Sequence, residues 1–179
     1  MKVYVMRHGK TVWNEIKRIQ GRSNNRLGKV GKEATQEVAS LYKDVQFDII
    51  FCSPLMRTMQ TANIMNQYHK ARIVRDERLI EINQGIFTKR MKSSLTENEK
   101  LQRQNRNESC GMEKYESVYE RVKAFLEDLK QQNCKSVLVV THNVNASLIE
   151  NILTSTKVDF NNNKHLLNFN NSEIKCFDL

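Results

Sequence analysis

Three short apolar runs constrain this chain more than any other feature. They are residues 2–6 (Lys-Val-Tyr-Val-Met), 47–52 (Phe-Asp-Ile-Ile-Phe-Cys) and 136–140 (Ser-Val-Leu-Val-Val). Strands with one wet face alternate apolar and polar residues, whereas continuous runs of this length suit strands covered on both faces. Each run stops abruptly in polar chemistry. Arg7-His8-Gly9 follows the first, Ser53-Pro54-Leu55-Met56-Arg57-Thr58 the second, and Thr141-His142-Asn143 the third. Two more strands are expected near 71–75 and 173–178. Helical patterns fill the gaps. One opens at Ser53 as N-cap with Pro54 in its first turn, and carries Leu55, Met59, Ala62 and Met65 on one face. A second covers about 30–43 with Ala34, Val38 and Leu41 inward. A third covers about 113–130 on a stripe of Tyr115, Val118, Tyr119, Val122, Phe125, Leu126 and Leu129, and a fourth covers 144–153. Strands alternating with helices predict an α/β protein, a three-layer α/β/α sandwich around a mostly parallel central sheet.

At 179 residues the expectation is one domain spanning 1–179, large enough to hold a core without disulfides or a metal. Two stretches read as irregular, 14–29 and 82–112. The second is a long, basic, polar, lid-like insertion with a short helix near 94–104. Cys52, Cys110, Cys134 and Cys176 are dispersed and form no CxxC pair, so neither a zinc site nor a disulfide framework is expected. The apolar start is too short for a signal peptide, and no run approaches the ~20 apolar residues of a membrane span. The expectation is a cytoplasmic protein with no membrane partner. The sequence sets no oligomeric state.

The net charge of +9 is concentrated. Residues 1–46 carry ten Lys/Arg against four acids, and residues 89–106 carry six against two. Such blocks fit an anionic partner or a solvated surface. Only 7% of residues are aromatic, and no recognition helix or stacking pattern accompanies the charge, so no nucleic-acid partner is expected.

In a parallel α/β sheet, ligands bind in the crevice beyond the carboxyl ends of the strands. If the three runs are parallel, two histidines and two arginines converge there. Burying that charge without an anion would be costly. Phosphoryl transfer is the chemistry that uses such a set. Arginine offers a planar fork matched to phosphate oxygens, a neutral imidazole can attack phosphorus, and the remaining groups steady the charge spread over the transferring oxygens.

Met6-Arg7-His8-Gly9-Lys10-Thr11 resembles the signature of the histidine phosphatase superfamily, the phosphoglycerate-mutase-like family. Further blocks follow in the family's order: Trp13-Asn14 with Arg18, Gln20 and Gly21; Leu27 and Gly31; Ser53-Pro54-Leu55 with Arg57, Thr58, Thr61 and Ala62; Leu79-Ile80-Glu81-Ile82 with Gly85; and Val139-Val140-Thr141-His142. The resemblance implies that His8 is the nucleophile that becomes phosphohistidine, and that Arg7, Arg57 and His142 complete the phosphate pocket. It implies that Asn14 and Gln20 line the pocket, and that Glu81 is the general acid. Burial beside Leu79 and Ile82 would raise the Glu81 pKa for that role, while Asp76 and Glu77 are neighbouring carboxylates that could serve instead. Backbone N–H groups at Gly21 are expected to reach a phosphate oxygen. No metal or cofactor is implied. The chain departs from the family at Lys10, Asn24, Arg26, Thr88-Lys89 and Asn143, and Cys110-Gly111-Met112-Glu113 only faintly resembles the family's Pro-Gly-Glu-Ser run.

The expected activity is a phosphatase acting on a small phosphorylated metabolite. The alternatives are a phosphoglycerate-mutase-type phosphotransferase and a phosphoprotein phosphatase of the same fold. The chain's length favours the compact phosphatases. Lys89, Arg90, Lys92, Arg103 and Arg106 share the insertion, and some of them, with Arg90 and Lys92 foremost, are expected to bind a second anionic group of the substrate.

Overall fold

The β-strands alternate across one sheet, and that alternation builds two cores. In the computed structural model, which describes residues 1–160, 166 and 169–179, five strands form a single sheet: β1 (Lys2–Arg7), β2 (Ile49–Cys52), β3 (Arg72–Arg75), β4 (Ser136–Thr141) and β5 (Ile174–Asp178). Their order is β3-β2-β4-β1-β5. The first four are parallel, and β5 pairs antiparallel with β1 at one edge. Val3, Val5, Phe51, Val137 and Val139 point to one face, and Met6, Ile50, Cys52, Leu138 and Val140 to the other. Period-two alternation therefore serves both faces at once, which is why the runs read as continuously apolar.

Among the described residues six α-helices accompany the sheet: α1 (Val12–Glu15), α2 (Lys29–Leu41), α3 (Met56–Met65), α4 (Glu97–Gln104), α5 (Tyr115–Lys130) and α6 (Asn143–Leu153). Helices α2 and α3 supply Ala39, Ala62 and Met65 to one core. Helices α5 and α6 supply Val118, Val122, Phe125, Leu126, Leu129, Ala146, Leu148 and Ile149 to the other. The result is the three-layer α/β/α arrangement with a mostly parallel sheet.

Of the α5 stripe, Val118, Val122, Phe125, Leu126 and Leu129 are buried as its spacing predicts, and Tyr115 and Tyr119 are half-buried at its edge. Helix α2 differs: Gly31, Thr35 and Ala39 form its buried line, and Leu41 is 80% exposed. Small residues are needed there because α2 lies directly on the loop after β1. A Cβ on Gly31 would sit 1.9 Å from the Lys10 carbonyl oxygen. Residues 14–29 also hold the end of α1, whose N-cap Thr11 and Asn14 form a capping box. The 82–112 stretch contains α4 and several 3₁₀ turns. It has a small core of its own, with Phe87, Leu95, Cys110 and Met112 packed on Ile19. The pairs Ile19 N–H to Arg90 O (2.9 Å) and Lys92 N–H to Lys17 O (3.1 Å) tie it to the loop after α1.

Gly31→Ala sets two effects against each other. Alanine favours a helix by ~1 kcal/mol, but the contact with Lys10 is backbone and cannot swing aside, and overpacking of this kind costs about 1–3 kcal/mol. The expected outcome is a net loss of stability, read as a lower urea midpoint at unchanged slope. An equal or higher midpoint would show that α2 can move off the β1 loop.

Candidate active site

Register brings the polar strand ends to one level. Arg7 of β1 stands opposite Thr141 of β4, and Cys52 of β2 opposite Val140. The ladder runs one step further on each side. His8 N–H donates to Thr141 O at 2.9 Å, and Ser53 N–H donates to Val140 O at 3.1 Å. His8 and His142 therefore meet edge-on, with ring centroids 5.2 Å apart. Ser53 does not cap the following helix, as its position before Pro54 suggests. The N-cap of α3 is Leu55, and the Ser53 hydroxyl instead lies 2.8 Å from His142 Nε2. Arg57, in the first turn of α3, is fully buried. Its Nη1 donates to Ser23 O at 2.7 Å and its Nη2 to Gly21 O at 2.9 Å. Arg7 Nη1 donates to Phe169 O at 2.6 Å.

These contacts assign the His8 proton. His8 Nδ1 is 2.7 Å from the Gly9 carbonyl, which can only accept. The proton is therefore on Nδ1, and Nε2 carries the free lone pair. Burial first, then the charges of Arg57 and Arg7, hold the His8 pKa well below the usual imidazole value. His142 is displaced the same way, by burial first and then by Arg57 and His8. His142 Nε2 shares a hydrogen bond with the Ser53 hydroxyl, and its Nδ1 is a buried atom with no hydrogen-bond partner.

Glu81 follows the β3 strand end, and its side chain is 16% exposed. Burial raises its pKa against the opposing pull of Arg57, the Ile82 N–H and Arg7. Its Oε2 lies 3.8 Å from His142 Nδ1. That is too long for a hydrogen bond, and both groups shift toward their neutral forms, so the contact is not a salt bridge. The neighbouring acids are elsewhere: Asp76 pairs with Arg78 at 2.7 Å, and Glu77 is exposed.

A cavity of about 160 Å³ opens over these groups, lined by Arg7, His8, Asn14, Gln20, Gly21, Arg57 and Glu81 among the expected residues. His142 lies just behind the wall, wholly buried. Gln20 Oε1 accepts from Asn25 (2.6 Å) and Thr11 (3.1 Å), which leaves its N–H donors without a protein acceptor among the described residues. Lys92 lines the cavity, but Arg90 does not. Arg90 turns back to Glu99, at 2.7 Å, in the capping box of α4. Lys89 is exposed, and Arg106 is buried among the Asn83, Gln84 and Glu113 oxygens. The cations that join Lys92 are Arg103 and Arg18. Both carry a buried Nε with no partner. The sequence places Arg18 in a motif without assigning it to the site, and Arg103 among the five insertion cations of which some are expected to touch a second anionic group. Asn143 also stands on the wall, and its Oδ1 accepts from Phe169 N–H at 3.1 Å, next to the carbonyl that holds Arg7.

The arrangement is an unneutralised cationic pocket. Arg7, Arg18, Arg57 and Arg103 each have a buried Nε without a partner, as does His142 at Nδ1. Burial, opposed by Glu81 and reinforced by Arg7, brings the Arg57 pKa down to about 10. Even so, the guanidinium stays charged at neutral pH. A tetrahedral dianion with three free oxygens matches these donors.

Both imidazoles are expected to remain neutral as pH falls. Nitrogen-15 NMR should show His8 as the Nδ1–H tautomer, with neither His8 nor His142 taking up a proton in the usual imidazole range. The sign for stability follows. The unfolded chain takes up protons at these histidines near pH 6.5 and the folded chain does not, so their contribution is intact above about 6.5 and declines below it. Ordinary titration of either ring between pH 6 and 7 would contradict the assignment.

Comparison with known proteins agrees with this geometry. Residues 3–178 match the model of the histidine phosphatase superfamily (branch 1). The probable phosphoglycerate mutase GpmB of Escherichia coli is 41% identical over 99 residues, covering 55% of this chain and 46% of that protein. The chain thus spans about half the length of the curated relatives it matches. Among solved structures, the α-ribazole phosphatase of Shigella flexneri superimposes with a TM-score of 0.87 at 23% identity, over 100% of this chain and 91% of that one. A phosphoglycerate mutase from Bacillus anthracis gives 0.81 at 24% identity, over 98% and 86%. At those identities the structures speak to the fold. The family match spans nearly all of the sequence, and the strand-end arginines and histidines of that match stand around one cavity. The chain belongs to the histidine phosphatase superfamily.

Proposed function

We propose that the protein is a phosphatase that hydrolyses a small phosphate monoester through a phosphohistidine at His8. The observation that carries this reading is the buried neutral His8, with Nε2 free, among guanidiniums whose Nε atoms have no partner among the described residues. Arg7, Arg57 and the His142 Nδ1–H hold the phosphoryl oxygens. His8 Nε2 attacks phosphorus as the ester P–O bond breaks, and Glu81 delivers its proton to the leaving oxygen. Glu81 then takes a proton from water, whose oxygen attacks phosphorus and releases His8. Charge development is met by fixed donors, so little reorganisation is required. The partial exposure of Glu81 gives water a route to the intermediate.

The substrate class is limited from two sides. The cavity of about 160 Å³ is well below the roughly 300–1,000 Å³ of sites that hold drug-sized ligands, so a short ester skeleton fits. Lys92 and Arg103, with Arg18, place further positive charge beyond the phosphoryl position. Partial burial, with Arg103 and Arg7 nearby, lowers the Lys92 pKa. A second anionic group on the substrate would relieve that crowding. A protein side chain is a poorer candidate, because Ile82, Gln84, Lys92 and Arg103 of the insertion border the cavity. The second reading is a mutase that returns the phosphoryl group to its substrate, favoured by the 41% identity to a probable phosphoglycerate mutase. A cytoplasmic setting suits four unpaired cysteines, two of them buried. Among the described residues no helix is long and apolar enough to cross a membrane.

The wild type is expected to release phosphate from p-nitrophenyl phosphate, and His8→Ala to lower kcat/KM by about a thousandfold or more. A His8→Ala enzyme with near-wild-type turnover would remove His8 from the reaction. Substituting Lys92→Glu together with Arg103→Glu should raise KM for a phosphoglycerate by about tenfold or more while leaving p-nitrophenyl phosphate within a few-fold. Equal effects on both esters would mean that the outer cations only shape the general field. Conversion of a phosphoglycerate to its isomer faster than phosphate release would favour the mutase.

A further inference from the structure

Glu113 is not on the cavity wall, yet its carboxylate joins the elements that surround Glu81. Oε1 accepts from Arg121 Nε of α5 at 3.1 Å. Oε2 accepts from Arg22 Nη2 at 3.1 Å and from the Asn83 N–H at 2.9 Å. The Glu113 N–H in turn donates to Asn83 O at 3.2 Å. Both arginines reach on to the same segment. Arg22 Nε donates to the Glu81 carbonyl at 3.1 Å, and Arg121 Nη1 donates to the Arg78 carbonyl. On the sheet side, the Thr141 hydroxyl holds Leu79 O at 2.8 Å, and the Asn145 amide holds Ile80 O at 3.1 Å. Residues 78–83 are therefore gripped from two sides, and Glu113 is the centre of the outer grip. Its side chain is 14% exposed, and that of Arg121 is 16% exposed, so the pairing is only weakly screened by solvent.

The same groups set the charge around the Glu81 carboxyl. Facing it are Arg7 from β1, Arg57 from α3, Arg121 from α5, Arg106 from the insertion and His142 ahead of α6, and the Ile82 N–H donates to its Oε1 at 2.9 Å. A phosphoryl group would neutralise Arg7 and Arg57. Arg121 and Arg22 lie outside the cavity wall, and Glu113 is the carboxylate bonded to both. Without that negative charge, the field of Arg121 on Glu81 would be uncompensated and would favour the ionised carboxylate.

We propose that Glu113 is a positioning residue for the acid–base step: it clamps the segment that carries Glu81, and it balances Arg121 and Arg22 so that the Glu81 carboxyl holds its proton for the leaving group. The proposal rests on the reading of Glu81 as general acid, but its physical core concerns the Glu81 carboxyl itself and can be measured without turnover.

The test is a carbon-13 NMR titration of the Glu81 carboxyl in the wild type, Glu113→Gln, Glu113→Asp, Arg121→Gln and the Glu113→Gln/Arg121→Gln double variant. The expected midpoint for Glu113→Gln is lower than wild type by about 0.5 pH or more. Glu113→Asp keeps the charge and should stay near wild type. Arg121→Gln should titrate above wild type, and the double variant should return toward wild type. In kinetics, Glu113→Gln should move the basic limb of kcat for an alkyl phosphate to lower pH with KM nearly unchanged. An aryl phosphate, whose leaving oxygen needs little protonation, should be spared. An unchanged Glu81 midpoint in Glu113→Gln overturns the proposal. If Glu113→Gln does not fold, an unchanged midpoint in Arg121→Gln overturns it instead. A shifted midpoint without the matching shift in kcat would retain the electrostatic link and remove Glu81 from the general-acid role.

Discussion

The structure is organised around buried positive charge that has no ion-pair partner among the described residues. Arg7 and Arg57 are largely or wholly withdrawn from water, and each has a buried Nε with no partner. Uncompensated buried charge is expensive, and proteins ordinarily avoid it or neutralise it. Here backbone carbonyls of Gly21, Ser23 and Phe169 fix the guanidiniums in place without neutralising them. Burial first, and then these same charges, keep two imidazoles neutral and so keep His8 nucleophilic. Glu81 responds in the opposite direction, because burial outweighs the guanidiniums and leaves a carboxyl able to donate a proton. One constraint, a largely buried cationic pocket, thus sets the protonation state of three groups in the way a phosphoryl transfer requires.

Parallel strands make that pocket possible. Because β1, β2 and β4 run in one direction and in register, their carboxyl ends present His8, Ser53 and His142 at a common level. Two helices then begin beside the site, α3 with Arg57 in its first turn and α6 with Asn143 and Val144 on the wall. The insertion closes the picture from above through Lys92 and Arg103, held against the loop after α1 by backbone pairing and by its own small core. Glu113 belongs to this outer shell, and its ties to Arg22 and Arg121 link the insertion, α5 and the Glu81 segment.

What could be read from the sequence was what depends on local pattern. The three apolar runs, the α5 stripe and the polar strand ends are one-dimensional signals, and each corresponds to an element of the structure. What could not be read depends on three-dimensional pairing. Arg90 and Lys92 are two residues apart in the same basic block, yet Glu99 draws Arg90 away while Lys92 reaches the cavity. Arg103 is eleven residues beyond Lys92 and joins it only because α4 folds back over the loop after α1. Ser53 carried a helix-start signal, but the proximity of His142 Nε2 gave its hydroxyl another partner. Leu41 fitted an apolar stripe by spacing, and the close approach of α2 to Lys10 rotated the small residues inward instead.

The central claim is that the substrate's phosphoryl group passes through His8 Nε2. Rapid acid or base quench during turnover of an aryl phosphate, followed by peptide mass spectrometry under alkaline conditions, tests this most directly. The account predicts a phosphorylated peptide containing His8, with the phosphoryl group on Nε2, formed and lost at rates that match steady turnover. Turnover at full rate with no phosphoryl group on His8, or with the group on another residue, would contradict it.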